Sequence, residues 1–215
     1  MPSKFKWEQT ERPEPLNTRI KETFHTSTSM RTRMQTAISR TEAQAQKLDQ
    51  TSQRLAERDK ALFAKIVEAY QKHDVQHANV FSSELAEIRK TEKTVMHARL
   101  ALDQIILRLR TVTELGDMVG ALAPIVGVLG SIKSAIGGVL PDAGRELEQI
   151  GTMLNGIIMD AGQTTGLTLN FGEASEDAKG ILAEAATVVE QRMKDKFPDL
   201  PGAMPTATDK AQGKT

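Results

Sequence analysis

Few side chains in this sequence have the types and the spacing that catalysis or metal binding requires. His73 and His77 are four residues apart, which on one helix would allow both imidazoles to bind a metal ion. No third ligand is near them, and a solvated pair at a helix turn fits the same spacing. The chain has no cysteine, which excludes a thiol nucleophile and a cysteine-ligated metal. A phosphate-binding glycine loop is also absent, so we expect no enzymatic activity, no metal and no cofactor.

The N-terminal arm has residue types suited to binding. Phe5 and Trp7 alternate with Lys4 and Lys6. A tryptophan beside basic residues is typical of an anchor at a membrane interface, where one edge of the ring is apolar and the other is wet. Docking of Trp7 onto the remainder of the fold explains the same residues equally well.

Basic side chains dominate residues 17–41. This stretch carries Arg19, Lys21, Arg31, Arg33 and Arg40 against one acidic residue, Glu22. It could lie on anionic lipid, where each basic residue contributes about 1 kcal/mol. It could equally face the phosphates of a nucleic acid or an acidic surface of another subunit.

Charge is divided unevenly, although the net charge is zero. Residues 1–110 carry 20 Lys+Arg and 14 Asp+Glu, whereas residues 111–215 carry 8 and 14. This division predicts either an anionic partner for the basic half or masking of one half by the other.

The elements that position these residues are helices. No Gly or Pro occurs between Pro15 and Gly116, and the aromatic content is only 4%, which disfavours a large β-fold. Apolar residues recur at alternating steps of three and four in two stretches, with polar interruptions at Thr41, Ser52, Asp59, Glu92 and Arg99. The stretch between them contains Asp74 and Asn79, each able to cap a new helix. We predict a long antiparallel hairpin of helices at about 17–72 and 76–115, elongated rather than globular.

The second half of the chain has a different composition. Residues 118–132 carry no charge but are too short for a membrane-spanning helix, which needs about 20 apolar residues. We expect hinges at Gly116 and Gly120, where a closed monomer could straighten into a continuous helix. Val126 lies in the middle of this apolar segment, which we expect to be an assembly surface.

We divide the chain into an arm, a helical core, a linker, a last helix and a tail. The arm covers residues 1–16 and the core 17–162, comprising the hairpin to 115 and shorter helices over 116–162. Residues 163–173 form the linker and 174–196 an amphipathic helix, followed by a proline-containing tail over 197–215. The prolines favour extended backbone in which Phe197, Leu200 and Met204 are apolar anchors. A simple helix stop before a disordered tail also fits.

The second helix carries a family resemblance. The stretch from Ala78 to Lys90, followed by Val95, Arg99, Leu100 and Leu102, resembles the second helix of ESCRT-III proteins. The order of elements is similar as well: a short arm, a basic hairpin, shorter acidic helices and a proline-containing tail. Within that family the sequence is most similar to the archaeal CdvB-type cell-division proteins, over about residues 17–205.

The resemblance implies a filament-forming scaffold that remodels membranes during archaeal cell division. It implies a cytoplasmic protein on the inner face of the membrane at the division site, with an all-α fold, no catalysis and no nucleic-acid partner. Its partners would be copies of itself, paralogous subunits, an anionic membrane and an AAA ATPase with an MIT domain. Two sets of residues would follow. The membrane-binding set is Phe5, Trp7, Arg19, Lys21, Arg31 and Arg33. The set read by the MIT domain is Phe197, Pro198, Leu200, Pro201 and Pro205.

Two other functions remain compatible with the residues alone. A soluble coiled-coil adaptor would share the long hairpin and never touch lipid. A membrane-stress scaffold of the phage-shock type would share the hairpin and bind lipid.

Overall fold

Five helices make up the described part of the chain. The computed structural model describes residues 16–112, 115–165 and 171–197, and the side chains of 30–112, 119–163 and 175–197. No strand occurs in those ranges, so the predicted all-α class is confirmed. The helices are α1 (Leu16–Gln71), α2 (Val75–Thr111), α3 (Leu115–Ile136), α4 (Pro141–Thr165) and α5 (Phe171–Lys196).

The two longest helices pair in antiparallel fashion. Near the turn, Arg58 of α1 forms an ion pair with Glu84 of α2, at 2.7 Å. Far from the turn, Glu42 of α1 meets Arg110 of α2, at 2.5 Å. Pairing of this kind follows from the absence of Gly and Pro, which lets each helix continue, and from one apolar stripe on each helix.

A three-residue turn reverses the chain between α1 and α2. His73 has a positive φ of 57°, a left-handed conformation that costs a side chain about 1 kcal/mol or more. Asp74 is the N-cap of α2, as predicted, because its carboxylate accepts a hydrogen bond from the backbone N–H of His77, at 3.1 Å.

Four of the five polar residues that interrupt the apolar stripes are buried in the seam between α1 and α2, whereas Arg99 is only half-buried. Asp59 is almost fully buried, and Arg89 Nε donates to its Oδ2 at 2.6 Å. Thr41 is buried and donates its hydroxyl to the carbonyl oxygen of Ala37, at 2.7 Å. These contacts satisfy polar groups that burial would otherwise leave without hydrogen bonds.

The break between α2 and α3 comes before both glycines predicted as hinges. The hairpin was predicted to continue to residue 115, but α2 ends at Thr111 and Val112 is extended, with ψ of 107°. Gly116 and Gly120 lie within the first turns of α3. A β-branched pair, Thr111 and Val112, is therefore where the helix ends.

Helices α3, α4 and α5 cover the part of the hairpin that is remote from the turn. One continuous core joins all five helices, through buried residues such as Leu102, Ile105, Leu129 and Ile157. A separate small cluster lies near the turn, formed by α1 and α2 only: Leu62, Ile66, Leu85 and Ile88. The hairpin next to its turn is thus a two-helix segment within the described residues.

The last two helices begin and end close to the predicted positions. Helix α4 starts at Pro141, in the first turn where proline is favoured, and it continues three residues beyond the predicted end of the core at residue 162. Helix α5 starts at Phe171, three residues before the predicted start, so the linker is shorter than predicted. The turn between α3 and α4 requires close backbone approach, since a Cβ on Gly144 would lie 3.3 Å from Gly137 Cα.

Candidate functional site

The predicted membrane-binding arginines of α1 have different surroundings. Arg31 is exposed. Arg33 is half-buried and forms an ion pair with Asp160 of α4. Residues two positions apart in the sequence point about 200° apart around the helix axis, so the side chains of Arg31 and Arg33 leave α1 in nearly opposite directions.

A second arginine extends the contact between α1 and α4. Arg40 Nε donates to Glu146 Oε1 at 2.8 Å, and Arg40 Nη2 donates to Gln149 Oε1 at 2.5 Å. The hydrogen bond from Arg40 lowers the pKa of Glu146, and the same bond raises the pKa of Arg40. Helix α4 therefore presents acidic groups to the basic side of α1. Reasoning from the sequence counted Arg40 as basic but did not include it among the membrane-binding residues.

Helix α4 also has a glycine where the Arg33 side chain approaches it. A Cβ placed on Gly156 would lie 2.5 Å from Arg33 Nη2. That distance is too short for a van der Waals contact, so any side chain there would displace the guanidinium. Gly156 thus leaves space for the ion pair between Arg33 and Asp160.

The end of α5 is held against α2 by charge and by an aromatic ring. Glu92 is fully buried, and its Oε1 accepts hydrogen bonds from Lys196 Nζ at 2.8 Å and from Ser52 Oγ at 3.4 Å. Phe197 follows α5, and its ring centroid lies 5.1 Å from Arg89 Cζ, a cation–π distance. Phe197 was predicted to bind an MIT domain; in this structure it contacts α2.

The predicted assembly segment belongs to α3. Residues Val119–Ile136 are long and apolar enough to cross a membrane by length and composition alone. Several of their side chains, including Leu122, Ile125 and Leu129, are buried among the other helices. Val126 is half-buried beside a shallow groove between α3, α4 and α5, next to Gly127 and Leu182.

The remaining predicted residues add no site to the described part of the chain. Phe5, Trp7, Pro198, Leu200, Pro201 and Pro205 lie outside the described residues, as do the side chains of Arg19 and Lys21. His77 Nδ1 lies 2.7 Å from Asp74 Oδ2, and no group of three metal-binding side chains occurs among the described residues.

Comparison with known proteins identifies the family. The chain is 41% identical to cell division protein B1 of Sulfolobus acidocaldarius over 172 residues, which cover 80% of each chain. The chain belongs to the cell division protein B (CdvB) family of ESCRT-III type. The resemblance noted in the second helix is therefore confirmed.

A second CdvB relative is more distant. Cell division protein B of the same organism is 33% identical over 158 residues, covering 74% of this chain and 60% of that protein. No protein-family model and no solved structure matches the chain. Membership of the CdvB family thus rests on sequence identity to these relatives.

Proposed function

We propose that this protein acts in archaeal cell division as a filament-forming scaffold that remodels the membrane. Its 41% identity to cell division protein B1 over most of both chains carries the proposal. In this account it is a cytoplasmic protein, peripheral on the inner face of the membrane at the division site. Its partners are copies of itself, paralogous CdvB subunits, an anionic membrane and an MIT-domain AAA ATPase.

The hairpin supports assembly into filaments. Beyond the cover of α3–α5, the two-helix segment near the turn exposes Val67, Val75 and Val80. Exposed apolar side chains on a long hairpin favour association with another chain. Contacts between different surfaces of identical subunits produce open filaments when the rotation does not close.

Two segments would connect the filament to its partners. The arm with Phe5 and Trp7, together with Arg19, Lys21, Arg31 and Arg33, would bind the membrane. The tail with Phe197, Pro198, Leu200, Pro201 and Pro205 would bind the ATPase. Since Arg33 faces α4 and Arg31 is exposed, Arg31 is the more accessible of the two described arginines in this conformation.

Electron microscopy of the purified chain, with and without anionic vesicles, tests the scaffold directly. We expect filaments in solution or on the vesicles, and deformed vesicles where filaments lie. A chain that stays dispersed and leaves the vesicles round would instead be the soluble adaptor.

Co-sedimentation across a salt series tests the lipid contact. With several basic residues contributing about 1 kcal/mol each, the double substitution Arg31→Glu and Arg33→Glu should reduce vesicle binding more than tenfold. Rising salt should reduce wild-type binding in the same way, because it screens the charges. Trp7→Ala should weaken binding less, and by a similar factor at all salt concentrations. Vesicle binding that changes neither with salt nor with charge reversal would exclude these residues as the lipid contact.

A further inference from the structure

One large apolar side chain of α4 is almost uncovered. Met159 is 68% exposed, the highest value among the large apolar side chains of the described residues. It follows Ile158, which is buried, and precedes Asp160, whose carboxylate pairs with Arg33. A single exposed apolar side chain is ordinary, so its surroundings decide whether it belongs to a larger surface.

An apolar groove opens beside Met159, between α3, α4 and α5. Asn155 lines the groove and lies one helical turn before Met159, so the two side chains are neighbours on α4. The groove holds about 450 Å³, within the usual size range of ligand clefts. Its other walls are mainly small or apolar: Ala123, Val126, Gly127, Ile158, Ala178 and Leu182. We call Met159 together with this groove the apolar patch.

The apolar patch lies at a known distance from the start of α1. The ion pair between Arg33 and Asp160 puts Met159 at the level of Arg33 along α1. Arg33 is 17 residues beyond Leu16, where α1 begins, and a helix rises about 1.5 Å per residue. The patch is therefore about 26 Å from the start of α1, measured along the helix.

The N-terminal arm that precedes α1 can cover that distance. Trp7 is nine residues before Leu16, and Pro13 and Pro15 between them favour extended backbone. At about 3.1 Å per residue this segment spans about 28 Å, so Trp7 reaches the level of the patch when the arm folds back along the hairpin. Phe5 is two residues farther and extends beyond Trp7.

Charge also favours the arm as the occupant. Its first seven residues include Lys4 and Lys6 and no acidic residue, whereas the half of the chain that forms the patch has 8 Lys+Arg and 14 Asp+Glu. The tail is less suited, because Phe197 lies against Arg89 of α2. From Leu182 at the groove, α5 leads about 22 Å away to Phe197, and Leu200 is only three residues farther.

We propose that the N-terminal arm folds back over α4 when no membrane is present, with Trp7 packed on Met159 and Phe5 in the groove between α3, α4 and α5. A methionine sulfur makes favourable contacts with an aromatic ring. Asn155 at the edge of the groove offers a side-chain oxygen that can accept the indole N–H. This inference goes beyond the proposed function, because it gives the arm a binding site on the protein itself.

Trp7 is the only tryptophan of the chain, so its fluorescence reports the arm alone. Acrylamide quenching of the full chain without lipid measures how far solvent reaches the indole, with N-acetyltryptophanamide as the fully exposed reference. Burial of an aromatic ring favours the docked state about tenfold or more. We therefore expect a quenching constant about fivefold below that of the reference. A constant equal to the reference would show that the arm is free and overturn the proposal.

Two exposed apolar residues test whether the patch is the site. Met159→Lys puts a charge where Trp7 would pack and repels Lys4 and Lys6, so the quenching constant should rise to within about twofold of the reference. Leu107→Lys is the matched control, because Leu107 is 60% exposed on α2 and the change of charge is the same. It should keep the wild-type constant. Equal constants in wild type and Met159→Lys would locate Trp7 elsewhere and overturn the assignment.

Two serines of α3 test the place of Phe5. Ser131 lines the groove and Ser134 lies outside it; both are exposed, and each donates its hydroxyl to the carbonyl oxygen four residues earlier. Ser131→Arg would fill the groove and should raise the quenching constant about twofold, as should Phe5→Ala, and the two together should add little. Ser134→Arg should have no effect. Identical results for the two serine variants would remove Phe5 from the groove.

Dilution identifies which chain supplies the arm. An arm docked on its own chain gives a quenching constant that does not change with protein concentration. Protection that disappears on dilution would mean that the arm binds a second copy, which overturns docking within one chain. Because no lipid is present, the proposed membrane binding is tested separately. A wild type that binds vesicles but has a fully quenched Trp7 would leave that function standing and reject this inference.

Discussion

Glu92 combines full burial with an unsatisfied side-chain oxygen in the described part of the chain. Its carboxylate is fully buried in the seam, and Oε2 has no hydrogen-bond partner among the described residues. Burial of a charge costs several kcal/mol unless a partner compensates it. The compensating cation is Lys196, at the last residue of α5 and itself partly exposed. The compensation of a buried charge inside the hairpin thus comes from the last residue of a different helix, α5.

Substitutions of the two partners of this ion pair should differ in their effect on the free energy of unfolding. Lys196→Met keeps the apolar stem but leaves the buried carboxyl of Glu92 without its cation, which should cost roughly 1–3 kcal/mol. Glu92→Gln removes the buried charge and keeps an acceptor for Lys196, so it should cost less. Urea denaturation of both variants measures the difference. A larger loss in Glu92→Gln than in Lys196→Met would contradict this account of Glu92.

The contact between α1 and α4 should weaken at acidic pH. Its hydrogen bond to Arg40 holds the pKa of Glu146 below the ordinary value of 4.5. A carboxyl with a lowered pKa in the folded state stabilises the fold above its ordinary pKa, and that contribution is lost as pH falls through the folded value. Because the pair is partly exposed, the contribution is roughly 0.5 kcal/mol.

Thermal unfolding at neutral pH and below pH 4.5, for wild type and Glu146→Gln, measures this contribution. The Gln variant lacks the titrating group, so its stability should fall less between the two conditions. Equal losses in the two proteins would show that Glu146 does not contribute to the acid sensitivity.

Single residues were partly predictable from the sequence. The positions of Thr41, Ser52, Asp59 and Glu92 in the seam follow from the periodicity alone. Their partners do not, because the pairing of Asp59 with Arg89 depends on the register of the hairpin. The contact of Lys196 with Glu92 depends on where α5 crosses α2, which no local pattern contains.

Helix boundaries were predictable wherever a local signal marks them. Asp74, one of the two residues predicted as possible caps, caps α2, and Pro141 begins α4 at a position where proline is favoured. The end of α2 has no glycine or proline, and it was placed four residues too late. Gly116 and Gly120, predicted as hinges, lie within α3, and α2 ends earlier, at Thr111. Glycine tolerates irregular backbone but does not require it.

Helix α3 is the element in which we predict the largest effect on assembly. Val126 is half-buried beside α5, so Val126→Asp would place a charge in an apolar groove. We expect this variant to lose filament formation while the hairpin stays helical by circular dichroism. Ala135→Asp, on an exposed position of the same helix, is the control for added charge. Normal filaments of Val126→Asp at equal concentration would show that this segment is not an assembly surface.

At the scale of the whole molecule, the two halves of opposite charge contact each other. Arg33 and Arg40 of the basic half pair with Asp160 and Glu146 of the acidic half. Lys93 and Glu190 make a weaker pair, at 3.7 Å. The charge division in the sequence allowed either an anionic partner or masking within the chain. Masking occurs in this structure where α4 lies against α1.

The first residue of the tail lies against the hairpin, which bears on ATPase recruitment. Phe197 contacts Arg89, whose guanidinium is fixed by the nearly buried Asp59, and Lys196 is bound to Glu92. A domain that binds Phe197 must therefore compete with these contacts. A tail peptide has no such competition, so it should bind such a domain more tightly than the full chain does.

Calorimetric titration against an isolated MIT domain tests the tail. A peptide of residues 194–208 should bind with micromolar affinity, about −7 to −8 kcal/mol. Leu200→Asp should remove most of that binding, because it brings a charge into an apolar groove. The full chain should bind more weakly than the peptide, and Arg89→Ala, which removes the cation against Phe197, should bring the affinity of the full chain closer to that of the peptide.

Filament formation and vesicle binding of Leu200→Asp should remain at the wild-type level, since neither proposed surface includes Leu200. Equal affinities of the wild-type and Leu200→Asp peptides would exclude the tail as the MIT-binding segment, whereas equal affinities of peptide and full chain would show only that Phe197 is free to leave α2.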